Sequence, residues 1–351
     1  MLMDVIGQYS DRQEVYSIDE SFIEWTGFKH FDLQQMASQL RRQVGRWTGI
    51  PVGIGIGQTK TLAKVANRLS KKHPDFRGQG ICNLSALTSE ALQGYLAQFS
   101  VEDVWGIGRR WAAKLENQGI CTALDLRRAD PARIRKGFNV VLEKTVWELR
   151  GLSCLPIEEA PPPKQQIISS RSFGKPVSDL PSLRQAVSSY TARAAEKLRS
   201  QNSQVQRLTV FLNTPFFQDR EPQYHPSITV RLYAPSQDTR ILCEAAGRGL
   251  EQIYRSGYRY QKAGVMLLDL APADQGQQSL FDGDDDAVPP DRPQLMRVLD
   301  AINRSMGRDT LWLAGQGLTQ RERRDSWRMN RKNLSPAYTT RWADLPVARA
   351  C

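Results

Sequence analysis

Two adjacent acidic residues, Asp19 and Glu20, are side chains whose types and spacing suit metal chemistry. Carboxylate oxygens are the hard ligands that divalent cations need when they bridge phosphates in nucleotidyl transfer. Neighbouring residues of a regular strand face opposite sides, so both can reach one metal only at a strand end or a hairpin tip. Residues 14–25 provide such a tip, because two short β-type runs meet at the pair. Without further context, an acidic dipeptide in a turn is usually a solvated surface feature.

Basic side chains follow on a helix predicted at 58–72. A lysine ammonium can act as a point charge on a phosphate. Basic residues at helical spacing more commonly form the wet face of an amphipathic helix, and we interpret all of them except Lys71 in this way. The residues concerned are Lys60, Lys64, Arg68, Lys71 and Lys72.

A glycine pair, Gly106 and Gly108, precedes a further predicted helix and resembles a helix-hairpin-helix turn. Glycines let the backbone approach closely, and amides at a helix N-terminus can hold a DNA phosphate without reading sequence. A plain turn between packed helices is the alternative. Arg109 and Arg110 directly after the glycines favour a phosphate. Base-excision glycosylases also use this motif, but we recognise no companion helices carrying their catalytic Lys or Asp.

The elements that must hold the acidic pair follow from apolar spacing. After the hairpin we predict an amphipathic helix at 31–47, a buried strand at 51–57, the basic helix at 58–72 and a strand at 80–84. This ββαβαβ order resembles a split βαβ sheet from which the opening strand and its crossover helix have been removed. We therefore expect an α+β multidomain protein that begins with an incomplete ferredoxin-like sheet at 1–86.

The rest of the chain divides by pattern into four more regions. Short helices alone are predicted at 87–160, and three consecutive prolines inside 158–166 favour an extended linker. A complete βαββαβ order follows at 165–270, with strands at 166–173, 206–213, 227–233 and 259–270 and helices at 181–201 and 238–256. Residues 271–293 are polar, acidic and Pro-rich, which indicates a flexible linker, and 294–351 form a tail module.

Composition limits the class of protein. The chain has 351 residues and a net charge of +11, which favours a polyanionic partner such as nucleic acid, although a basic protein without one is as compatible. Its five cysteines are scattered and never form a CxxC pair, which argues against zinc and disulfides and fits a reducing cytoplasm. No apolar run has membrane-spanning length, and the first residues lack a signal-peptide pattern. We expect a cytoplasmic protein that is not bound to membranes.

Three motifs together resemble a known family. YSIDESF at 16–22, GIGQTKTLAKVANRLSKK at 55–72 and VWGIGRRWAAKL at 104–115 look like the palm and thumb signature of Y-family translesion DNA polymerases of the UmuC type. The resemblance implies a truncated palm at 1–86, a helix-hairpin-helix thumb at 87–160 and a DNA-binding little finger at 165–270. It also implies that Asp19 and Glu20 are catalytic ligands of Mg²⁺, and that Lys71 contacts the incoming dNTP.

Residues after the little finger extend the resemblance. Gln277, Leu280 and Phe281 resemble the anchors of the peptide by which bacterial polymerases bind the sliding clamp, and an exposed Leu-Phe pair in a polar linker usually docks. Residues 294–351 resemble the C-terminal region of UmuC proteins. The arginines clustered around Trp327 suit DNA or a protein partner, or simply a solvated basic helix.

Family membership implies a function and one gap. The function is error-prone synthesis past damaged primer-template DNA in the SOS response, with a UmuD-like subunit and a recombinase filament as further partners. The family's first metal-binding aspartate, its aromatic gate against ribonucleotides and most of its fingers are not recognisable here, and Asp4 does not restore the site. We therefore expect weak polymerase activity. The alternative is a non-catalytic remnant that binds DNA and the clamp.

Overall fold

The computed structural model describes residues 1–28, 30–216, 222–274, 291–317, 327, 333–338, 341–345 and 347. These residues form two compact units, Met1–Pro161 and Pro162–Cys351. The division falls within the proline-rich segment 158–166. No helix among the described residues is long and apolar enough to cross a membrane.

The first unit mixes short strands with helices. Its strands are β1 (Gln13–Val15), β2 (Ser21–Ile23), β3 (Ile54–Ile56) and β4 (Ile81–Asn83). Its helices are α1 (Leu2–Gly7), α2 (Leu33–Thr48), α3 (Lys60–Lys72), α4 (Pro74–Arg77), α5 (Ser89–Gln98), α6 (Arg109–Glu116), α7 (Ala123–Arg128), α8 (Pro131–Gly137) and α9 (Val140–Leu149). The ββαβαβ order predicted from the sequence is present, preceded by α1 and with the short α4 inserted before β4, but among the described residues its strands form two separate sheets and not the single incomplete ferredoxin-like sheet that was expected.

Two separate two-stranded sheets make up the strand layer of this unit. β1 and β2 pair antiparallel, whereas β3 and β4 pair parallel, as expected for strands joined through a crossover helix. That helix is α3, which lies almost on the backbone of β3: a Cβ added at Gly55 would be 2.1 Å from the amide nitrogen of Asn67. Only glycine permits this approach.

One hydrophobic core joins α3 to the helices that follow. Leu62, Val65 and Ala66 of α3 are buried together with Leu96 of α5 and Leu115 of α6. The small helices at 89–149 therefore do not form a core of their own. They pack on the apolar side of α3, and the opposite side of α3 is left to face the β1–β2 hairpin.

The second unit has the predicted βαββαβ order. Its elements are β5 (Ile167–Val177), α10 (Leu180–Ser200), β6 (Ser203–Asn213), β7 (Ser227–Ser236), α11 (Thr239–Ile253) and β8 (Tyr260–Pro272). The sheet order is β5-β8-β6-β7 and all neighbours are antiparallel. Alternate strand residues such as Leu208, Val210 and Val265 are buried in the core with Leu183 of α10 and Leu242 of α11. Both helices therefore cover one face of the sheet.

A further helix, α12 (Pro293–Ser305), packs on the second unit. The guanidinium of Arg199 donates to both carboxylate oxygens of Asp300, at 2.6 and 2.7 Å, and Met296 is fully buried. Burial tends to raise the pKa of Asp238, but hydrogen bonds from Arg240 and from the backbone amide of Arg292 outweigh it and lower that pKa. This carboxylate caps α11 and fixes the start of α12 at once.

Candidate active site and nucleic-acid interface

Asp19 and Glu20 lie at the tip of the β1–β2 hairpin, as predicted. The amides of Tyr16 and Ser17 both donate to the carbonyl oxygen of Glu20, at 3.1 and 3.0 Å, which closes the turn. The hydroxyl of Ser17 donates to the Asp19 carboxylate at 2.6 Å. Asp19 is exposed and Glu20 is half-buried. The turn thus brings both carboxylates to one end of the hairpin.

Glu20 is paired with Lys64 of α3, whose Nζ lies 2.9 Å from its carboxylate. Three aromatic rings surround the same ammonium group, with centroids 4.6 Å away for Tyr16, 5.3 Å for Phe22 and 5.6 Å for Trp105. Such ring faces attract a cation electrostatically. Lys64 is consequently a mostly buried part of the site.

The interpretation of α3 as having a wet basic face is wrong for Lys60 and Lys64, which are largely covered, whereas Arg68 is partly exposed. Lys60 pairs with Glu14 of β1 and donates to the carbonyl of Pro156 at 2.6 Å, and Arg68 pairs with Asp103. These three residues recur every four positions and form one stripe, which we call the basic stripe. Their acidic partners, Glu14, Glu20 and Asp103, all lie 35 or more positions away in sequence, so the helical spacing of the basic residues could not reveal these pairs.

Lys71 stands apart from the basic stripe and is exposed near the end of α3, as is Lys72. Its stem runs over Gly53 at the entrance to β3, where an added Cβ would be 2.9 Å from Lys71 Cε. The structure therefore brings Lys64 rather than Lys71 to the acidic pair. The close packing of α3 on β3 fixes the position from which Lys71 extends.

The glycine turn has the form expected of a phosphate-binding loop. Gly106 has φ +89°, and Gly108 is the N-cap of α6. Both glycines, Arg109 and Arg110 are exposed, while Ile107 is buried beneath them. An added Cβ at either glycine would meet no atom within 4 Å, so the space beside both glycines is open.

Backbone pairing supports this turn from below. The amide of Val101 donates to Cys121 and the amide of Ala123 donates to Phe99, at 2.9 and 2.8 Å. α7 begins in a capping box, in which Asp125 accepts from the hydroxyl and amide of Thr122. The hydroxyl hydrogen bond is the main cause of a lowered pKa of Asp125. These hydrogen bonds fix the backbone on both sides of the segment that contains the turn and α6.

The acidic pair suits Mg²⁺, which usually takes one or two carboxylates and fills its other positions with water and phosphate oxygens. Asp19 and Glu20 would hold it. Among the described residues, no group of three or more His, Cys, Asp and Glu side chains is placed to hold a metal ion. The remaining ligands would come from outside the chain.

In the second unit, the face of the four-stranded sheet opposite α10 and α11 carries basic side chains that the sequence analysis did not single out. Arg207 of β6 lies beside Arg231 of β7, and Lys262 of β8 lies beside Asn213. Arg207 is also paired with Asp269. Alternation with buried Leu208 and Val210 was the available signal, since it places Arg207 on the outer face of β6.

Two predicted interaction segments lie outside the described residues. They are the peptide with Gln277, Leu280 and Phe281, and the arginines around Trp327. Trp327 itself is buried, 5.8 Å from Tyr190 between ring centroids in an edge-on arrangement. Its ring is therefore part of the core of the second unit.

Family profiles cover most of the chain. Residues 1–68 match the impB/mucB/samB family, and residues 164–280 match the C-terminal domain of the same family. Residues 293–348, which include α12, match a domain of unknown function (DUF4113).

Individual relatives agree with these profiles. The chain is 45% identical to protein SamB of Salmonella typhimurium over 97% of its own length and 78% of the relative. It is 46% identical to protein UmuC of Salmonella typhimurium over 98% of its length and 79% of the relative. Among solved structures, a Y-family DNA polymerase chimera of Dbh and Dpo4 matches 77% of this chain and 74% of that one, with a TM-score of 0.57 at 18% identity. That likeness shows a shared fold.

Proposed function

Because the chain belongs to the UmuC-type Y-family of translesion DNA polymerases, we propose that it joins deoxynucleotides to primer ends on damaged templates with Asp19 and Glu20 as its Mg²⁺ ligands. The observation that carries this proposal is the hairpin tip, where a turn closed by hydrogen bonds to the Glu20 carbonyl brings Asp19 and Glu20 to one end of the hairpin. A lone acidic turn would be solvated on all sides. This one is docked on a helix that also carries Lys71.

The chain's own residues would contribute binding and orientation. Bound Mg²⁺ would supply charge neutralisation on the triphosphate and a lower pKa for the attacking 3′ hydroxyl. Asp19 and Glu20 would hold the cation, and the Lys71 ammonium would neutralise a phosphate of the incoming dNTP. By resemblance to the family, residues 1–86 would form the truncated palm.

DNA would be held at two surfaces. The open amides of the glycine turn, with Arg109 and Arg110, would bind a backbone phosphate in the thumb at 87–160. The open sheet face with Arg207, Arg231 and Lys262 would bind backbone phosphates in the little finger at 165–270. Both contacts are independent of base sequence, as a polymerase requires.

Primer extension on a templated duplex with Mg²⁺ tests the catalytic assignment. We expect measurable incorporation, and a loss of about a hundredfold or more in Asp19→Asn and in Glu20→Gln, because each removes a charge from the metal site. Asp4→Asn is the matched control: this exposed carboxylate lies on α1, paired with the N-terminal amine.

The same experiment separates the second candidate function, a DNA- and clamp-binding remnant without catalysis. The pairing of Glu20 with Lys64 favours this candidate, since the carboxylate is already engaged by a protein cation. DNA binding without incorporation by the wild-type chain would favour the remnant. Incorporation that depends on Asp19 would exclude it.

The sliding clamp is a further proposed partner, together with a UmuD-like subunit and a recombinase filament. Replacing both Leu280 and Phe281 by Ala should weaken binding to the clamp at least tenfold, because these two side chains are the apolar anchors of the peptide. Surface plasmon resonance on immobilised clamp measures this. Asp285→Asn in the same segment is the control, and unchanged affinity of the double variant would show the assignment to be wrong.

A further inference from the structure

Lys64 is in an unusual position for a lysine beside a metal site. Its side chain is 16% exposed, against 41% for its partner Glu20. Partial removal of an ammonium group from water costs free energy unless other groups take the place of the water. Here Glu20 and the ring faces of Tyr16, Phe22 and Trp105 take that place.

The Lys64 ammonium and a metal ion would compete for the same carboxylate. Lys64 Nζ lies 2.9 Å from Glu20 Oε1, and a divalent cation on that oxygen would lie about 2 Å from it. Two cations this close repel each other by at least about 1 kcal/mol in water and by more near a protein surface. This repulsion favours movement of the Lys64 ammonium away from Glu20 when the divalent cation binds.

The rings give Lys64 a second place to go. Tyr16, Phe22 and Trp105 contact one another with centroids 5.5 to 5.8 Å apart, and the Trp105 indole donates to the Tyr16 hydroxyl at 3.2 Å. The ammonium can therefore leave Glu20 and remain over an aromatic face, which itself stabilises a cation. Lys60, one turn earlier, differs, because it is held by both Glu14 and the Pro156 carbonyl.

We infer that Lys64 is the resident counter-ion of Glu20, a positioning residue that neutralises and orients this carboxylate in the metal-free protein and gives it up to the cation on loading. The inference rests on the proposed metal site. It assigns Lys64 a role distinct from phosphate binding. It also links metal loading to Trp105, the residue directly before the glycine turn.

Terbium luminescence tests the exchange without relying on activity. Tb³⁺ binds oxygen ligands, and its emission is sensitised by nearby aromatic rings, which Tyr16 and Trp105 provide. Lys64→Met keeps the length and apolar stem of the side chain but removes the competing charge. We expect it to bind Tb³⁺ roughly tenfold more tightly than the wild type. Excess Mg²⁺ should displace the Tb³⁺ in both proteins.

Controls separate the inference from the metal site itself. Lys64→Arg keeps the charge and should bind Tb³⁺ as the wild type does, and Lys60→Met should do the same because it leaves Glu20 paired. Lys64→Gln is a second neutral variant in case the methionine protein does not fold, as judged by near-ultraviolet circular dichroism. Glu20→Gln should abolish the sensitised emission in either background.

Two results would overturn the inference in distinguishable ways. Glu20-dependent emission with the same affinity in the wild type and in both neutral variants would show that Lys64 does not compete, while leaving the metal site intact. Absence of Glu20-dependent emission from every variant would remove the metal site and the inference together.

Discussion

At the scale of single residues, the two glycines of the turn before α6 differ in what a side chain would meet. Gly106 has φ +89°, a conformation that other residues adopt only with strain. Gly108 has φ −88° and open space around its missing Cβ, so the fold itself would accept a side chain. Packing among the described residues thus gives no reason for glycine at 108, whereas the proposed phosphate contact would give one.

This difference gives the prediction for Gly108→Ala. The variant should keep its melting temperature within about 2 °C but bind primer-template DNA several-fold more weakly, because its methyl group would occupy space beside the amides that hold a phosphate. Fluorescence anisotropy over a range of salt concentrations measures the affinity. Gly94→Ala on α5, where an added Cβ also meets nothing, is the control and should leave DNA binding unchanged. Equal DNA affinity of both variants would contradict the phosphate-binding assignment.

The sequence was informative at residues whose partners are local. The hairpin tip with Asp19 and Glu20 and the turn with Gly106 and Gly108 depend on nearby backbone chemistry, and both were predicted. The environment of Lys64 was not, because Glu20 and Trp105 are about 40 positions away on either side of it. A lysine on the polar side of a helix gives the same sequence pattern whether its ammonium faces water or, as in Lys64, a group of aromatic rings.

At the scale of elements, a buried carboxylate joins α9 to the start of α3. Glu148 is fully buried and accepts hydrogen bonds from the amides of Thr61, Cys154 and Leu155, at 3.0, 2.6 and 3.2 Å. Its carbonyl also accepts from the hydroxyl of Thr59, the N-cap of α3. A single residue thus fixes the N-terminal end of the helix that carries the basic stripe.

Replacing Glu148 by Ala should lower the free energy of unfolding of the first unit by about 2–4 kcal/mol, since the buried amide of Thr61 and the part-buried amides of Cys154 and Leu155 lose their acceptor. Glu148→Gln should cost less, because its amide oxygen still accepts. Urea denaturation followed by tryptophan fluorescence measures both. Glu143→Gln on the same helix is the control and should cost less than about 1 kcal/mol, because its pair with Arg135 is long, at 3.4 Å, and the Arg135 side chain is exposed. A mild effect of Glu148→Ala would show that this junction is held by apolar contacts instead.

Elements were predictable where one face alone is buried. The βαββαβ order of the second unit followed from alternation in β6 and from the amphipathic patterns of α10 and α11, because each has one face on the core and one outside. α3 was harder. Its apolar side is covered, and so are Lys60 and Lys64 on its basic side, and sequence periodicity distinguishes apolar from polar residues but not covered from exposed ones.

At the scale of the whole molecule, the chain consists of two units joined at Pro161 and Pro162. Residues just before this junction belong to the first unit: the amide of Glu158 donates to Glu14 at 2.8 Å, and Arg12 pairs with Glu159 at 2.8 Å. Residues 161–166 are exposed and form neither helix nor strand. The three prolines made this junction readable from the sequence.

Brief trypsin digestion should therefore cut after Lys164 and yield fragments 1–164 and 165–351, identified by mass spectrometry. The exposed, extended backbone there fits a protease active site without unfolding of either unit. Lys164→Gln should delay the appearance of both fragments. Cleavage within 1–161 before the cut at Lys164 would contradict the division.

The contact of α3 with the backbone of β3 has a consequence for how the first unit can change over evolution. Lys64 and Lys71 both extend from α3, and an added Cβ at Gly55 would collide with the main chain of that helix. A single methyl group there would lift the helix and carry both lysines with it. Lys64, the inferred counter-ion of Glu20, and Lys71, the proposed nucleotide contact, would then move together. To change the position of one lysine without the other, substitutions must fall on side chains of α3 and not on β3 beneath the helix.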